Sequence, residues 1–275
     1  MITLQTASKA ELATFLDWAA AEGWNPGLGD ADAFYASDPN GFFVAHDEET
    51  PIAAISVVNH NDDFAFLGLY IVKAEYRGQG IGLKLWNHAV AHAGARTIGL
   101  DGVEAQQANY AKAGFVHAGG TTRFAGALAA KAHAGIRPVA PADLPGLIDR
   151  EAAASGVPKP TYLQGWFSAQ DTRLTFVLED AGAFRGLCTI RQCRTGAKIG
   201  PLIADTPKDA EALLAHAAQA FDGPYFIDVP ATSGALKAIC EAARMAPVFK
   251  TARMYRGPAP TGQGDLYAVA TLELG

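Results

Sequence analysis

Residues Tyr76 to Trp86, YRGQGIGLKLW, hold the spacing in this chain best suited to chemistry. Arg77, Gly80 and Gly82 read Arg-x-x-Gly-x-Gly, with Gly78, Gln79 and Ile81 between them. Glycines at these steps let successive backbone N–H groups converge on an anion with no Cβ in the way, and a following helix adds the positive end of its dipole. A pyrophosphate is a natural ligand for such a cradle. Two other phosphate devices are excluded. A Walker A loop needs Gly-Lys-Ser/Thr, whereas here Leu83 precedes Lys84 and Leu85 follows it, and a dinucleotide fingerprint sets its third glycine one residue later than Gly82. His88 and His92 have the i, i+4 spacing of metal ligands, but no acid joins them and a structural role is favoured. Cys188, Cys193 and Cys240 are odd in number, widely spaced and free of a His cluster, so neither a disulfide framework nor a zinc site is indicated, and no metal is expected.

The loop needs a strand before it and a helix after it. FAFLGLYIV, Phe64 to Val72, is a continuous apolar run suited to a strand covered on both faces. At about 100° per residue, Ile81, Leu85, Trp86, Ala89 and Ala93 share one side of a helix and would anchor it to a sheet. TIGLDG reads as the next strand and AQQANYAKAGF as a helix ending at Gly114, with TTRFAG after it. The second half offers AKIGPLIAD, TPKDAEALLAHAAQAF, PYFIDVP, GALKAICEAARMA and TARMYRG in the same order, with Asp101 and Asp228 closing matching strands. This is an internal duplication of one α/β unit. The Ala-, Gly- and Pro-rich stretch near residue 130 divides it into domains 1–128 and 135–275, with Asp143 expected to cap the first helix of the second. That second unit lacks the glycine loop. Thr206, Pro207 and Asp209 cap their own helix, and Asp205 and Asp209 would repel a phosphate, so the copy is read as having lost its anion site.

With 275 residues, 49% hydrophobic, the chain can fill two cores. Lys and Arg total 22 against 28 Asp and Glu, a net charge of −6, which offers nucleic acid and anionic membrane no general attraction. No apolar run approaches about 20 residues, and the N-terminus reads as a strand and helix rather than a signal segment, so a cytoplasmic protein is expected.

The strand, loop and helix LYIVKAEYRGQGIGLKLW, with YAKAGF later in the chain, resemble the GCN5-related N-acetyltransferase (GNAT) family over roughly the first 126 residues. The whole chain is similar to a bacterial two-domain subgroup of it. The resemblance implies two tandem domains of an α/β fold, each a mixed central sheet flanked by helices. It implies acetyl-CoA as co-substrate, with Arg77, Gly78, Gln79, Gly80, Ile81 and Gly82 on the pyrophosphate and Lys84 nearby. It also implies that main-chain groups of Tyr70, Ile71 and Val72 lie at a strand bulge that pairs with pantetheine and polarises the thioester carbonyl. Tyr110 matches the proposed general acid, and Trp24 and Asn25 fall where the acceptor-covering loop lies. The family often has Asn and Ala seven and four residues before this tyrosine. Here those positions are Val103 and Gln106, and Asn109 or Gln107 would substitute. The implied reaction is direct attack of a primary amine, of a small molecule rather than a protein, in a ternary complex. Its base is one of Asp62, Asp63, Asp101 and Glu104. The alternative is an acyl-CoA sensor without catalysis.

Overall fold

The computed structural model describes residues 1–275. Its first half runs β1 (Ile2–Thr6), α1 (Lys9–Ala21), α2 (Asp30–Ser37), β2 (Phe42–Asp47), β3 (Thr50–Asn59), β4 (Phe64–Val72), α3 (Ile81–Val90), β5 (Thr97–Val103), α4 (Glu104–Lys112) and β6 (Val116–Gly126). The second half runs β7 (Ile136–Pro138), α5 (Leu144–Ser155), α6 (Pro160–Phe167), β8 (Arg173–Asp180), β9 (Ala183–Gln192), β10 (Ala197–Ala204), α7 (Pro207–Ala217), β11 (Tyr225–Pro230), α8 (Gly234–Ala242), β12 (Ala246–Arg256) and β13 (Leu266–Ala268).

Local chemistry sets the helix ends. Ser8 and Glu11 form a reciprocal capping box at α1, with Ser8 N–H donating to Glu11 Oε2 at 2.8 Å and Glu11 N–H donating to Ser8 Oγ at 3.3 Å. Helix α3 starts from Gly80 in the left-handed region, and Ile81, Leu85, Trp86 and Ala89 are its buried face, continued by Ala93. Asp143 does not cap α5. Its carboxylate accepts the Ala140 N–H and pairs with Arg137, because the chain makes one tight turn there before α5 begins.

All thirteen strands join one mixed sheet in the order β1-β2-β3-β4-β5-β12-β6-β11-β10-β9-β8-β7, with β13 against β10. The two halves interleave. β12 of the second half lies between β5 and β6, and β6 of the first lies between β12 and β11, so a cut between residues 128 and 135 runs through a shared sheet rather than between separate bodies.

A pseudo-twofold relates the halves, and the pairing registers fix its equivalences. β4 runs parallel to β5 with Leu67 opposite Leu100, and β10 runs parallel to β11 with Ile199 opposite Ile227. Gly68 therefore corresponds to Gly200 and Asp101 to Asp228. Each aspartate meets an arginine from the exchanged strand of the other half: Arg253 faces Asp101 in β12, and Arg123 faces Asp228 in β6. Both pairs are bidentate, at 2.9 and 2.6 Å for Arg253 and at 2.7 and 2.9 Å for Arg123. They lock the exchange from both sides.

Candidate functional site

Beyond Leu67 and Leu100 the parallel strands β4 and β5 have no further paired residues. The cause lies in β4, where Ala54 pairs with Ile71 but Ser56 pairs with Gly68, so one extra residue is taken up across Leu69 and Tyr70. Leu69 sits at φ 48°, a left-handed conformation inside a strand, which turns β4 away from its neighbour. Tyr70 lies in the bulge, while Ile71 and Val72 return to pairing with β3, leaving this stretch of β4 without a partner on the β5 side.

The glycine loop follows directly. Gly78 and Gly80 hold φ values of 79° and 75°, with open space where each Cβ would stand. Between Gly78 and Leu83 no backbone N–H finds an acceptor in the chain, so six amides face outward around the first turn of α3. Arg77 braces this loop: its Nε donates to the Val72 carbonyl at 2.8 Å and its Nη2 to Glu22 Oε1 at 2.7 Å, tying the loop to the end of β4 and to α1. The Gln79 side chain donates to the Glu75 carbonyl at 3.0 Å. At Gly82 a Cβ would stand 2.6 Å from the Tyr70 hydroxyl and 3.0 Å from Val72 Cγ2, so only glycine lets α3 approach the bulge this closely. A diphosphate fits this ring of donors.

Two spaces adjoin the loop and bulge. A surface groove of about 480 Å³ runs between α3 and α4, lined by Leu83, Asn87, Asn109 and Lys112 among others. An inner cavity of about 70 Å³ lies in the fork between β4 and β5, lined by Trp24, Gly68, Asp101, Val103, Arg123, Phe249, Thr251 and Glu273 among others. Tyr70, Gln106 and Tyr110 form walls of both.

Tyr110 is largely buried, stacked on Trp86 with ring centroids 5.6 Å apart, and burial pushes its phenol well above the usual tyrosine range, with the Tyr70 hydroxyl adding to the effect. It is a proton donor, not a base, at neutral pH. Asn109 sits on the groove side and donates to Gln106 Oε1 at 2.9 Å, and Gln107 donates to the Gly102 carbonyl at 3.2 Å.

Trp24 lines the inner cavity, and its carbonyl accepts from Arg123 Nη1 and Lys198 Nζ at 2.8 Å each. Asn25 does not join it. At φ 50° it turns away and grips the main chain of Thr195, donating to the carbonyl at 2.9 Å and accepting from the N–H at 3.2 Å, so its side chain clasps the second half instead of the pocket. Of the four acids expected near the acceptor, Asp62, Asp63 and Glu104 are exposed and outside the cavity wall. Asp101 lines it, but both its oxygens are occupied by Arg253. The carboxylate that sequence reasoning missed is Glu273, in the apolar tail segment YAVATLELG, where no local pattern marks it.

The second half treats the same positions differently. Thr206 Oγ1 accepts the Asp209 N–H at α7, and Arg185 bridges Asp205 and Asp209. Its fork is filled from within: β13 pairs with β10 through Leu202–Ala268 and Ile203–Leu266, and the Val269 N–H donates to the Asp228 carbonyl of β11. Pro201 stands where the first half has Leu69, so that position has no N–H to offer. His92 pairs with Asp38 at 2.7 Å, and no group of three or more His, Cys, Asp or Glu residues is arranged to hold a metal ion.

One forked sheet with an amide-lined loop stands beside a plugged copy of itself, giving a protein of two lobes. Residues 9–115 match the model of the acetyltransferase (GNAT) family, and residues 148–268 match that of an acetyltransferase (GNAT) domain. The chain is 34% identical over 278 residues to a holothin acyltransferase from Pseudoalteromonas sp. (strain SANK 73390), spanning 99% of this chain and 94% of that protein. It belongs to the GCN5-related N-acetyltransferase family. Among solved structures, a protein from Pyrococcus horikoshii assigned to the acetyltransferases superposes with a TM-score of 0.85 at 20% identity, covering 100% of this chain and 96% of that one. A tandem GNAT protein from the clavulanic acid biosynthesis pathway gives 0.61 at 14% identity, covering 94% and 99%. These two share the fold.

Proposed function

We propose that the first lobe transfers an acetyl group from acetyl-CoA to a primary amine of a small molecule, with donor and acceptor bound together. The observation that carries this reading is the continuity from the six outward amides, along the groove, past Tyr110 and into the inner cavity. The amides of Gly78 to Leu83 hold the pyrophosphate, Asn109 borders the arm that follows, and the unpaired edge of β4 from Tyr70 to Val72 takes pantetheine as an added strand. Val72 offers this edge little on its carbonyl side, because Arg77 already donates there.

Approximation and polarisation of the carbonyl by a bulge amide lower most of the barrier. Tyr110, kept protonated by burial, hands its proton to the departing thiolate. Trp24 borders the acceptor side, and the relative's named substrate, holothin, belongs in the acceptor panel. The test is thiol release across an amine library with acetyl-CoA and longer acyl-CoAs. Tyr110→Phe should lower kcat by about tenfold to a hundredfold while coenzyme A still binds. Tight binding with no release from any pair would favour the sensor instead.

A further inference from the structure

Glu273 is an unexplained charge. It is 4% exposed, its Oε2 has no hydrogen-bond partner, and it enters no ion pair. A buried carboxylate oxygen with no partner is costly, and its retention calls for an explanation. It is also held firmly, with the tail pinned on both sides. Leu274 N–H donates to Thr271 Oγ1 at 3.0 Å, the His60 imidazole Nε2 meets the Leu274 carbonyl at 2.8 Å, and Lys159 Nζ donates to the Gly275 carbonyl at 2.8 Å. The main chain of Glu273 rests on Gly68, where a Cβ would collide with its carbonyl oxygen. Gly68 immediately precedes the bulge. Glu273 therefore shares the inner cavity with Tyr110 and Trp24, at the fork where β4 leaves β5.

We propose that Glu273, supplied by the second lobe's tail, is the catalytic base that deprotonates the acceptor ammonium in the first lobe. The assignment rests on the amine acetylation proposed above. The ammonium gives one proton to the Glu273 carboxylate, and the free amine attacks the thioester carbonyl. The C–N bond forms and the C–S bond breaks. The second proton leaves the nitrogen as the amide forms and passes to Tyr110, replacing the one it gives to the thiolate, and Glu273 returns its proton to water, so amide, thiol and one proton are the products and both side chains are restored.

Charged side chains of both signs surround the Glu273 carboxylate. Arg123 from β6, Arg191 from β9 and Lys198 from β10 exert attraction without touching it, while Asp101 from β5 and Asp228 from β11 are already committed to Arg253 and Arg123. Tyr70 and Tyr110 are neutral neighbours. The plugged fork acquires a purpose here: β13 anchors the chain against β10, so that five residues later Glu273 reaches the working fork at a fixed position.

Glu273→Gln, Glu273→Ala and Glu273→Asp test this in the full chain. Glu273→Gln should lose about 10²-fold in kcat at neutral pH with coenzyme A affinity unchanged, and the deficit should shrink as pH rises toward the acceptor's own pKa. Its Tm should equal or exceed that of the parent, since an unpartnered buried charge is removed, and Glu273→Asp should recover part of the rate. Parent-like kcat and pH profile in Glu273→Gln overturn the assignment while leaving the acetylation reading intact. A pH-independent loss accompanied by a lower Tm also overturns it, in favour of a structural role. Silence of the parent enzyme with every amine and donor overturns both.

Discussion

Alanine at Gly80 isolates the contribution of the loop's shape. Gly80 occupies φ 75° at the N-cap of α3, and nothing lies within 4 Å of its would-be Cβ. The substitution therefore adds no clash, only the torsional penalty of a left-handed L-residue, about 1–2 kcal/mol. The loop is exposed, so it can relax to a right-handed conformation rather than destabilise the fold, and its amides then point elsewhere. Coenzyme binding must restore the left-handed turn and bears the penalty, which converts to a loss of about 5- to 30-fold in affinity. Gly78, at φ 79° and equally open, should behave alike, and the two changes should roughly add if each only resets its own torsion. Gly146 is the control. It is exposed within α5 with open space at its Cβ, so alanine there should stabilise by about 0.5–1 kcal/mol and leave binding unchanged. Calorimetric titration with coenzyme A reads binding, and thermal melting reads the fold. An unchanged Kd in Gly80→Ala refutes the role given to these amides.

Two further predictions concern stability. Burial, with the Lys159 charge beside it, pulls the His60 imidazole down to about 3, while in the unfolded chain it titrates near 6.5. Below the unfolded value the unfolded state takes up a proton that the fold refuses, so this contribution is complete above about pH 6.5 and is lost as pH falls toward 3, by up to about 1.4 kcal/mol per unit. Denaturant melts of His60→Gln from pH 7 to 4 should show a flatter dependence than the parent. Arg123→Met leaves Asp228 buried with no direct ion-pair partner and should cost about 3–5 kcal/mol in urea unfolding, and adding Asp228→Leu should recover most of it.

Local signals were legible. The apolar run of β4, the glycine loop and the buried stripe of α3 are each encoded within about a dozen residues, where strand burial, αL torsions and helical periodicity leave direct marks. The correspondence of Asp101 with Asp228 was also visible, because the two copies keep aspartate at matching positions, although each strand runs on two residues beyond the aspartate expected to close it. The matching arginines were not, since Arg123 and Arg253 acquire meaning only when β6 and β12 trade places, and pairing across more than a hundred residues has no local signature. Glu273 was hidden for the same reason: in sequence it interrupts an apolar tail, and only the fork of β4 and β5 makes it chemical. Asn25 was assigned from its neighbourhood, yet its left-handed backbone aims it at Thr195.

The exchange of β6 and β12 also sets an order of events on the ribosome. β5 pairs with β4 at once but gains a partner on its other edge only after residue 256 has been made, well after the glycine loop and Tyr110. Until then the nascent enzyme carries a raw strand edge, open to mispairing, and is a natural client for chaperones. Arrival of β12 is thus itself the checkpoint: a chain halted before it holds the glycine loop but has neither a closed sheet nor Glu273.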